Sequence, residues 1–536
     1  MAVISVIDVA LCILGLCILK FVFAPSTPKN LPPGPKPLPL IGNLLDLPKE
    51  YDWLHWAKHK TLYGLLVFAN SDEPADEPFL GPISSVSVFG QNMILINDAQ
   101  IAYDLLEKKS SIYSDRPSLL FAGEMCGWGD NLGLLSYGPK FRAQRKNISQ
   151  IIGTKSAVAK FHHLVEVEMC RFLSHVLAQP DMLHKYTRKL AGAIILKISH
   201  GYTIDPTGND PLVDLADDAL FQFSLATTPG AWLVDLVPIL QCIPDWMPGA
   251  GFKRTAKKWS RTLKDMTDKP HAFVRRQMAS GNAISSYTSA LLEMNPDAEG
   301  ESMIKWSAQA LYAGGADTTV SALYGFYLAM VLNPEVQKRG QAELDAVVGQ
   351  DRLPSYEDRS SLPYIEAIVK EVLRWNPVGP MGFPHVSAED DVYMGYEIPK
   401  GSILMANIWQ FTHDPVSYHQ PFEFKPERFL GAQPERDPHT LSFGFGRRIC
   451  PGKELADSSV FLGIAMSLAA FNITKARDER GVEIVPECEF TTGVISHPKP
   501  FRCTITPRSD KVAGLVRSVD EEYPALENDA AVLKEL

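Results

Sequence analysis

A cysteine bracketed by glycines constrains this chain more than any other feature. Residues 443–452 read FGFGRRICPG, and an apolar stretch over residues 455–471 follows them. Gly446 and Gly452 permit tight turns and a close backbone approach. A helix over the apolar stretch would turn its positive N-terminal end toward Cys450, and that end favours a thiolate. The spacing therefore predicts a loop that presents a thiolate to a metal.

The motif F-x-x-G-x-R-x-C-x-G is carried by Phe443, Gly446, Arg448, Cys450 and Gly452. It resembles the haem-binding loop of the cytochrome P-450 monooxygenases. A lone cysteine outside such a motif is more often a buried structural residue. The resemblance implies haem b with the Cys450 thiolate as the metal ligand. It also implies a mainly α-helical fold with small β-sheets, forming a single catalytic domain over residues 41–507.

An apolar stretch without proline over residues 306–332 predicts a central helix. Gly314 and Gly315 lie inside it, and each costs about 1 kcal/mol relative to alanine, so a compensating role is expected. The motif AGGADTT around them resembles the family's kinked haem-crossing helix, whose groove admits dioxygen. The resemblance implies that Asp317 and Thr318 are the catalytic acid–alcohol pair that delivers protons. In the alternative, Thr318 bonds its own backbone and Asp317 is exposed.

Glu371 and Arg374 are spaced to share one face of a helix that begins at Pro363. Alone, such an ion pair is common and weak. The order of this pair, the PERF sequence over residues 426–429 and the cysteine loop resembles the family's structural triad. The resemblance implies that Arg428 completes the triad and that its role is structural.

Haem carboxylates need cationic partners, and the resemblance implies Arg145, His385 and Arg448 for this role. Each could otherwise be an ordinary surface cation. Phe141 departs from the family pattern, which usually has tryptophan here. Phenylalanine keeps the packing but has no indole N–H to donate.

The segments that match the family's substrate regions are apolar, with Glu124 as the main exception. An apolar cavity with few polar groups suits a lipophilic, medium-sized molecule. Any one of these residues is more often plain core, so only their collective apolarity counts. The predicted pocket residues are Phe121, Phe221, Tyr312, Ala313, Met381, Phe383 and Val494.

The N-terminal residues 1–24 carry only Asp8 and Lys20 as charges and are long enough to span a bilayer. A cleavable signal peptide would need a basic start, which is lacking. The lysines that follow the apolar run place the catalytic domain in the cytosol. The sequence thus predicts a membrane anchor, a proline-rich hinge over 25–40, and an acidic mobile tail over 508–536.

Residues 65–81 are foreign to the family pattern. Their removal joins Tyr63 and Gly64 to Pro82, and a good alternating strand over 82–90 follows. Two hypotheses remain: a natural insertion that forms an exposed loop, or a retained in-frame intron.

The formal charge of −10 argues against a nucleic-acid partner, and eight scattered cysteines indicate a reducing compartment. The segments SDRP, GYEIPKG and ISHPKPF resemble fungal microsomal members of the O-methylsterigmatocystin oxidoreductase type. The resemblance implies a monooxygenase of the endoplasmic reticulum membrane, in contact with membrane lipid. It would use dioxygen, electrons from NADPH through a reductase, and a lipophilic substrate of secondary metabolism. A haem-thiolate isomerase or dehydratase and a non-enzymatic haem-binding module are the alternatives.

A cationic surface for the reductase is predicted beside the cysteine loop. Its residues are Arg142, Lys146, Arg447 and Lys453. Acidic partners recognise such patches by complementary charge. A solvated charged face with no partner is the equal alternative.

Overall fold

The part of the chain that the computed structural model describes comprises residues 30–62, 81–206, 208–524 and 527–534. The predicted anchor over residues 1–24 lies outside this part, and so does the predicted insertion over residues 65–81 apart from Gly81. None of the helices within these ranges combines the length and apolarity needed to cross a bilayer.

The fold is mainly α-helical with small β-sheets, as the sequence predicts. Within the described ranges the α-helices are α1 (Asp52–Leu62), α2 (Ala99–Ala102), α3 (Pro139–Ile152), α4 (Lys155–Val158), α5 (His162–Ala178), α6 (Leu183–His200), α7 (Pro211–Thr227), α8 (Leu233–Leu236), α9 (Gly251–Ser280), α10 (Tyr287–Leu292), α11 (Ala298–Leu332), α12 (Pro334–Val347), α13 (Pro363–Trp375), α14 (Ile408–Thr412), α15 (Lys453–Ala470), α16 (Asp510–Arg517), α17 (Val519–Glu522) and α18 (Ala530–Leu533). The strands are β1 (Ile83–Val88), β2 (Gln91–Ile96), β3 (His385–Val386), β4 (Asp391–Tyr393), β5 (Tyr396–Ile398), β6 (Ile403–Ala406), β7 (Phe471–Arg477), β8 (Glu483–Ile484) and β9 (Cys503–Pro507).

The described residues fall into two compact units. The first comprises Met1–Pro117 and Pro384–Asn407, and the second comprises Ser118–Phe383 and Ile408–Leu536. The first unit holds a four-stranded sheet in the order β1-β2-β6-β3 and the hairpin β4-β5. In the four-stranded sheet β2 and β6 run parallel, whereas the other neighbours are antiparallel. Phe89 and Gly90 both have positive φ and form the turn between β1 and β2, as two-residue hairpins require.

The described part of the predicted hinge is not a free linker. The backbone amide of Ser85 in β1 donates to the Pro33 carbonyl at 3.0 Å, and its hydroxyl donates to the Pro32 carbonyl at 2.6 Å. Prolines lack an N–H but keep their carbonyls, so a proline-rich segment can accept bonds from a strand. A side chain at Gly34 would overlap the Ser85 carbonyl, which explains the glycine between the prolines.

The second unit is built around α11 and α15, which together supply much of its core. Helix α11 runs for 35 residues and begins at the N-cap Asp297, whose side chain accepts the Gly300 amide at 2.8 Å. It is longer than the predicted 306–332. The third sheet, in the order β8-β7-β9, follows α15 directly.

The predicted acidic mobile tail over 508–536 is folded over most of its length, which corrects that prediction. Helix α16 has a side-chain N-cap at Ser509 and buries Val512, Ala513 and Val516. The carbonyls of Tyr523 and Pro524 accept bonds from Arg171 on α5. The spacing of the apolar residues is helical, and this signal was hidden by the acidic composition around it.

Candidate active site

The cysteine loop is closed by its own backbone. The Cys450 amide donates to the Phe443 carbonyl at 2.8 Å, and residues Gly446–Arg448 form a single 3-10 turn between them. Gly444 and Gly446 have φ values of 76° and 53°, which favour glycine. Gly452 has φ −91°, which other residues also adopt, and a Cβ there would lie 3.9 Å from the Cys450 sulfur.

The electrostatics around Cys450 suit a metal-bound thiolate. Its side chain is exposed, yet protein surrounds the sulfur closely enough that burial raises the thiol pKa. The Gly452 amide and the charges of Arg145 and Lys453 oppose this effect and favour the thiolate. Helix α15 starts at Lys453 without a side-chain cap, and the Lys453 amide donates to the Cys450 carbonyl at 3.4 Å, which brings the positive end of the helix beside this residue. A bound metal would remove the remaining thiol proton.

Two aromatic residues on and before α3 hold the arginines of the cysteine loop. The Arg448 guanidinium lies 3.9 Å from the Phe141 ring centroid and donates to the Leu135 carbonyl at 2.7 Å. The Tyr137 ring, 5.4 Å from Phe141, packs against the Arg447 guanidinium at 5.2 Å. The departure at Phe141 therefore has a local role, since its face supports a buried cation.

The three predicted haem cations lie in different places. Arg448 is buried in the cysteine loop, and Arg145 on α3 donates a bond to the Ile449 carbonyl beside Cys450. His385 belongs to the first unit, where it is buried and its Nδ1 donates to the Tyr113 carbonyl at 2.6 Å. That bond fixes the proton of the neutral ring on Nδ1.

Glu371, Arg374 and Arg428 lie together and are buried. Arg374 makes two bonds to the Glu371 carboxylate at 2.7 and 2.8 Å, and the Arg428 Nε lies 3.2 Å from it. The remaining Arg374 donors reach the Thr412, Pro421 and Glu423 carbonyls. Such satisfied, buried charges fix the loop that precedes the cysteine motif.

Asp317 and Thr318 make separate contacts on α11. Asp317 is buried, and its Oδ1 lies 3.1 Å from His497 Nε2 and 3.6 Å from an Arg188 nitrogen. Thr318 donates to the Gly314 carbonyl at 2.7 Å. The alternative to a catalytic pair has Thr318 bonding its own backbone and Asp317 exposed. The Thr318 bond agrees with it, but the burial of Asp317 does not.

The two glycines of α11 have different surroundings. A Cβ at Gly315 would come within 2.5 Å of Ile195 on α6, so close helix packing requires glycine there. A Cβ at Gly314 would meet no atom within 4 Å among the described residues. The open side of α11 is therefore the side of Gly314 and of the carbonyl that Thr318 bonds. The close packing of Gly315 against α6 is a role that offsets the cost of a glycine inside a helix.

Most of the predicted pocket residues lie in the interior of the second unit, whereas two of them are unsuited to line a pocket. Phe121 is buried and stacks on Trp232 at 3.6 Å, and Phe383 lies 6.2 Å from Phe223. Ala313 and Met381 are buried, and Val494 is half-buried. Phe221 is exposed, and the Tyr312 hydroxyl is committed to the Leu212 carbonyl.

Phe223 is an aromatic residue of α7 that lies in a segment matched to the substrate regions but is not among the predicted pocket residues. It contacts Trp128 at 4.6 Å on one side and Phe383 on the other. Ala216, Ala219 and Phe223 are among the buried positions of α7, and their spacing of three and four residues could have identified this face. The prediction of Phe221 as a pocket residue is corrected because it points away from that face.

One cavity of about 200 Å³ lies elsewhere in the second unit. His200, Phe273 and Gln277 line it together with Glu527 and Asp529. None of the predicted haem or substrate residues contributes to its wall. The cavity is therefore separate from the predicted haem and substrate site.

Comparisons with known proteins place the chain in a family. The family model described as Cytochrome P-450 matches residues 32–505. The chain is 51% identical over 531 residues to the cytochrome P-450 monooxygenase claR of Ampulloclitocybe clavipes, covering 98% of this chain and 95% of that protein. It is 45% identical to the monooxygenase ppsD of Aspergillus oryzae, covering 99% of both chains. It is 41% identical to the O-methylsterigmatocystin oxidoreductase of Aspergillus flavus, covering 98% and 97%.

Proposed function

Because this chain belongs to the cytochrome P-450 family and is a haem-thiolate monooxygenase, we propose that it oxidises a lipophilic small molecule of fungal secondary metabolism. One atom of dioxygen would enter a C–H bond or a double bond of that molecule. Electrons come from NADPH through a reductase. The observation that carries the assignment is the closed cysteine loop, with Cys450 accessible and flanked by cations and helix amides.

The residues present fit a haem. Cys450 would hold the iron. Arg145, Arg448 and His385 have side chains of the type that pairs with haem carboxylates. Phe443, Gly446 and Gly452 shape the loop around the sulfur. The haem supplies dioxygen binding and the oxidising power that breaks an unactivated C–H bond. The protein orients the substrate, excludes bulk water from the site and supplies the protons.

The proton supply is assigned to Asp317 and Thr318. Asp317 is a buried carboxylate in contact with Arg188 and His497, and Thr318 offers a hydroxyl on the open side of α11 beside Gly314. An acid next to an alcohol can pass a proton through ordered water. Thr318 would turn from the Gly314 carbonyl to donate.

The aromatic lining supports an apolar and planar substrate. Phe121, Trp232 and Trp259 form one aromatic cluster, and Trp128, Phe223 and Phe383 form a second. Aromatic rings favour stacked or edge-on contacts with other rings. A fungal relative named for O-methylsterigmatocystin adds weight to a secondary metabolite.

The reductase would meet the cationic surface beside the cysteine loop. Arg142 and Arg447 both pack on the Tyr137 ring, at 5.7 and 5.2 Å, and both are exposed. The ring therefore joins α3 to the cysteine loop through two guanidinium groups. Lys146 is exposed as well, and Lys453 is half-buried. Charge reversal of Arg142 should slow NADPH-driven reduction while leaving reduction by dithionite unchanged.

We assign the protein to the endoplasmic reticulum membrane, anchored by residues 1–24. A second feature supports contact with lipid, because the second unit exposes several large apolar side chains within one stretch of chain. These are Phe221, Leu225, Leu233, Ile239 and Trp246. Deletion of residues 1–24 should reduce membrane association and leave a protein that binds haem.

The test of the function uses the ferrous–CO spectrum and product analysis. The wild type should show the long-wavelength Soret band of thiolate ligation, and Cys450→His should lose it. Cys488→Ser and Cys503→Ser serve as controls and should keep it. Incubation with reductase, NADPH and a fungal lipophilic extract should yield a product heavier by one oxygen atom. A product that forms without NADPH would instead indicate an isomerase or dehydratase.

A further inference from the structure

A segment over residues 491–501 packs along one face of α11. Asp317, Ser321 and Tyr324 lie on that face, at spacings of four and three residues. Ser321 donates to the Ser496 carbonyl at 2.5 Å, and the Phe501 amide donates to the Tyr324 hydroxyl at 3.4 Å. Between these two contacts His497 lies against Asp317 at 3.1 Å. The segment therefore holds the His497 ring in a fixed position.

The His497 backbone is fixed independently of its ring. Its amide donates to the Thr491 hydroxyl at 3.0 Å, and its carbonyl accepts the Thr491 amide at 2.7 Å. The ring Nδ1 is buried without a hydrogen-bond partner among the described residues. A buried imidazole with one unsatisfied nitrogen costs free energy, so its retention requires a compensating contact. Asp317 is that contact.

The Asp317 carboxylate is held at one oxygen. Both the His497 Nε2 and an Arg188 nitrogen contact Oδ1, and Arg188 also pairs with Asp217 on α7. Burial opposes the carboxylate charge, but the His497 bond and the charges of His497, Arg188 and His184 outweigh it, so the pKa of Asp317 is lowered. Asp317 is thus ionised at neutral pH, and its contacts with His497 and Arg188 are both made by Oδ1.

We propose that His497 is a positioning residue for the proton-donating acid: it holds Asp317 by Oδ1 and leaves Oδ2 to take up and release the proton. Arg188 assists from α6. The proton comes from solvent water, and its release from Oδ2 restores the carboxylate. The inference rests on the proposed role of Asp317 in proton supply.

The same geometry connects the acid to the substrate side. Gly493 and Val494 lie four and three residues before His497, and a side chain at Gly493 would overlap Ser224 on α7. A substrate that displaces this stretch would shift His497 as well. The position of the acid would then depend on an occupied pocket.

The first test measures peroxide formed per NADPH consumed by the full-length holoenzyme with reductase, without added substrate. His497→Ala should raise this ratio toward its limit of one peroxide per NADPH, because misplaced proton donors lose most of their effect. His497→Gln keeps an N–H donor at a similar distance and should restore much of the loss. Lys499→Ala, which removes an exposed pair with Glu489, is the control and should behave as the wild type.

A double variant separates positioning from general damage. In an Asp317→Asn background, His497→Ala should change the ratio no further, because its target is already gone. Full additivity of the two changes would overturn the proposal. An unchanged ratio in His497→Ala alone would overturn it too. If instead the wild type itself lacked the thiolate CO band, the proposed function would fail and not this inference.

The second readout does not depend on activity. Infrared spectra between about pH 5 and pH 8 should show a protonated carboxyl band in His497→Ala that Asp317→Asn removes, because the lost bond raises the pKa of Asp317. The other titratable or charged groups near it are Arg188 and His184 on α6 and Asp217 and Asp214 on α7, and the substitution leaves all four in place. Identical infrared spectra for His497→Ala and the wild type would refute the effect of His497 on Asp317.

Discussion

Replacing His439 by glutamine should destabilise the protein strongly at neutral pH and weakly at alkaline pH. His439 Nδ1 lies 2.7 Å from Asp437 and its Nε2 lies 2.9 Å from Asp457. Both ring nitrogens face carboxylates, so both carry protons and the ring is an imidazolium. The ring also stacks on Phe443, with centroids 5.9 Å apart. It thus links the start of the cysteine loop to α15 behind it.

The magnitude follows from the pKa of His439. Burial opposes the charged ring, but the bonds to Asp437 and Asp457 and their charges outweigh burial and raise the pKa from 6.5 to about 9. That difference corresponds to about 3 kcal/mol of folding free energy. Because the folded pKa is raised, this contribution is complete below about pH 6.5 and is lost as the pH approaches 9.

The assay is urea unfolding of wild type and His439→Gln at about pH 6 and about pH 9. The deficit of the variant should fall from about 3 kcal/mol to below about 1 kcal/mol between these values. His419→Gln, at an exposed histidine of the same region, is the control and should show little deficit at either pH. Equal deficits of His439→Gln at both pH values would refute the charged ring.

Two further changes test the site and the C-terminal segment. Thr318→Ala should bind haem and CO normally but divert reducing equivalents to peroxide, whereas Thr318→Ser should not; unchanged product per NADPH in Thr318→Ala would contradict its role. Truncation after Arg508 removes the buried Val512 and Val516 and should lower the free energy of unfolding by about 3 kcal/mol, measured by urea unfolding. An unchanged midpoint would show that α16 adds nothing.

The parts of the site that the sequence predicts are those with local causes. The cysteine loop is set by glycines of positive φ and by a bond between Phe443 and Cys450, all within ten residues. Helix α13 begins at Pro363 as predicted, because proline favours the first helical position. Glu371 and Arg374 share a face for the same local reason.

The parts that the sequence does not predict depend on distant partners. Nothing near Asp317 in the chain indicates that His497 will contact it, because the contact depends on how a C-terminal segment packs on α11. The pairing of His439 with Asp457 needs α15 to lie behind the cysteine loop. The exposure of Phe221 follows from the helical period, because Ala219 and Phe223 occupy the buried face of α7 on either side of it.

Deletion of residues 65–81 should leave a folded protein that binds haem. Helix α1 ends at Leu62, and the Gly81 amide donates to the Lys60 carbonyl at 2.5 Å. In a helix that carbonyl is the acceptor for the amide four residues later, which is residue 64. The deletion puts Gly64 directly before Pro82, in the place of Gly81, so the same carbonyl receives the same kind of donor.

Strand β1, which begins at Ile83, should be undisturbed. The Asn97 amide donates to the Pro82 carbonyl at 2.8 Å, and this bond does not involve the deleted residues. The CO band and the urea midpoint of the deletion variant should match those of the full chain. Deletion of residues 61–77 removes equally many residues but takes the last two residues of α1, so it should weaken the CO band and lower the urea midpoint. A 65–81 deletion without the CO band would mean that the fold needs the segment. If the band is retained, transcript sequencing distinguishes a natural insertion from a retained intron. A spliced transcript that lacks the codons for residues 65–81 identifies a retained intron. Their presence in every transcript identifies a natural insertion.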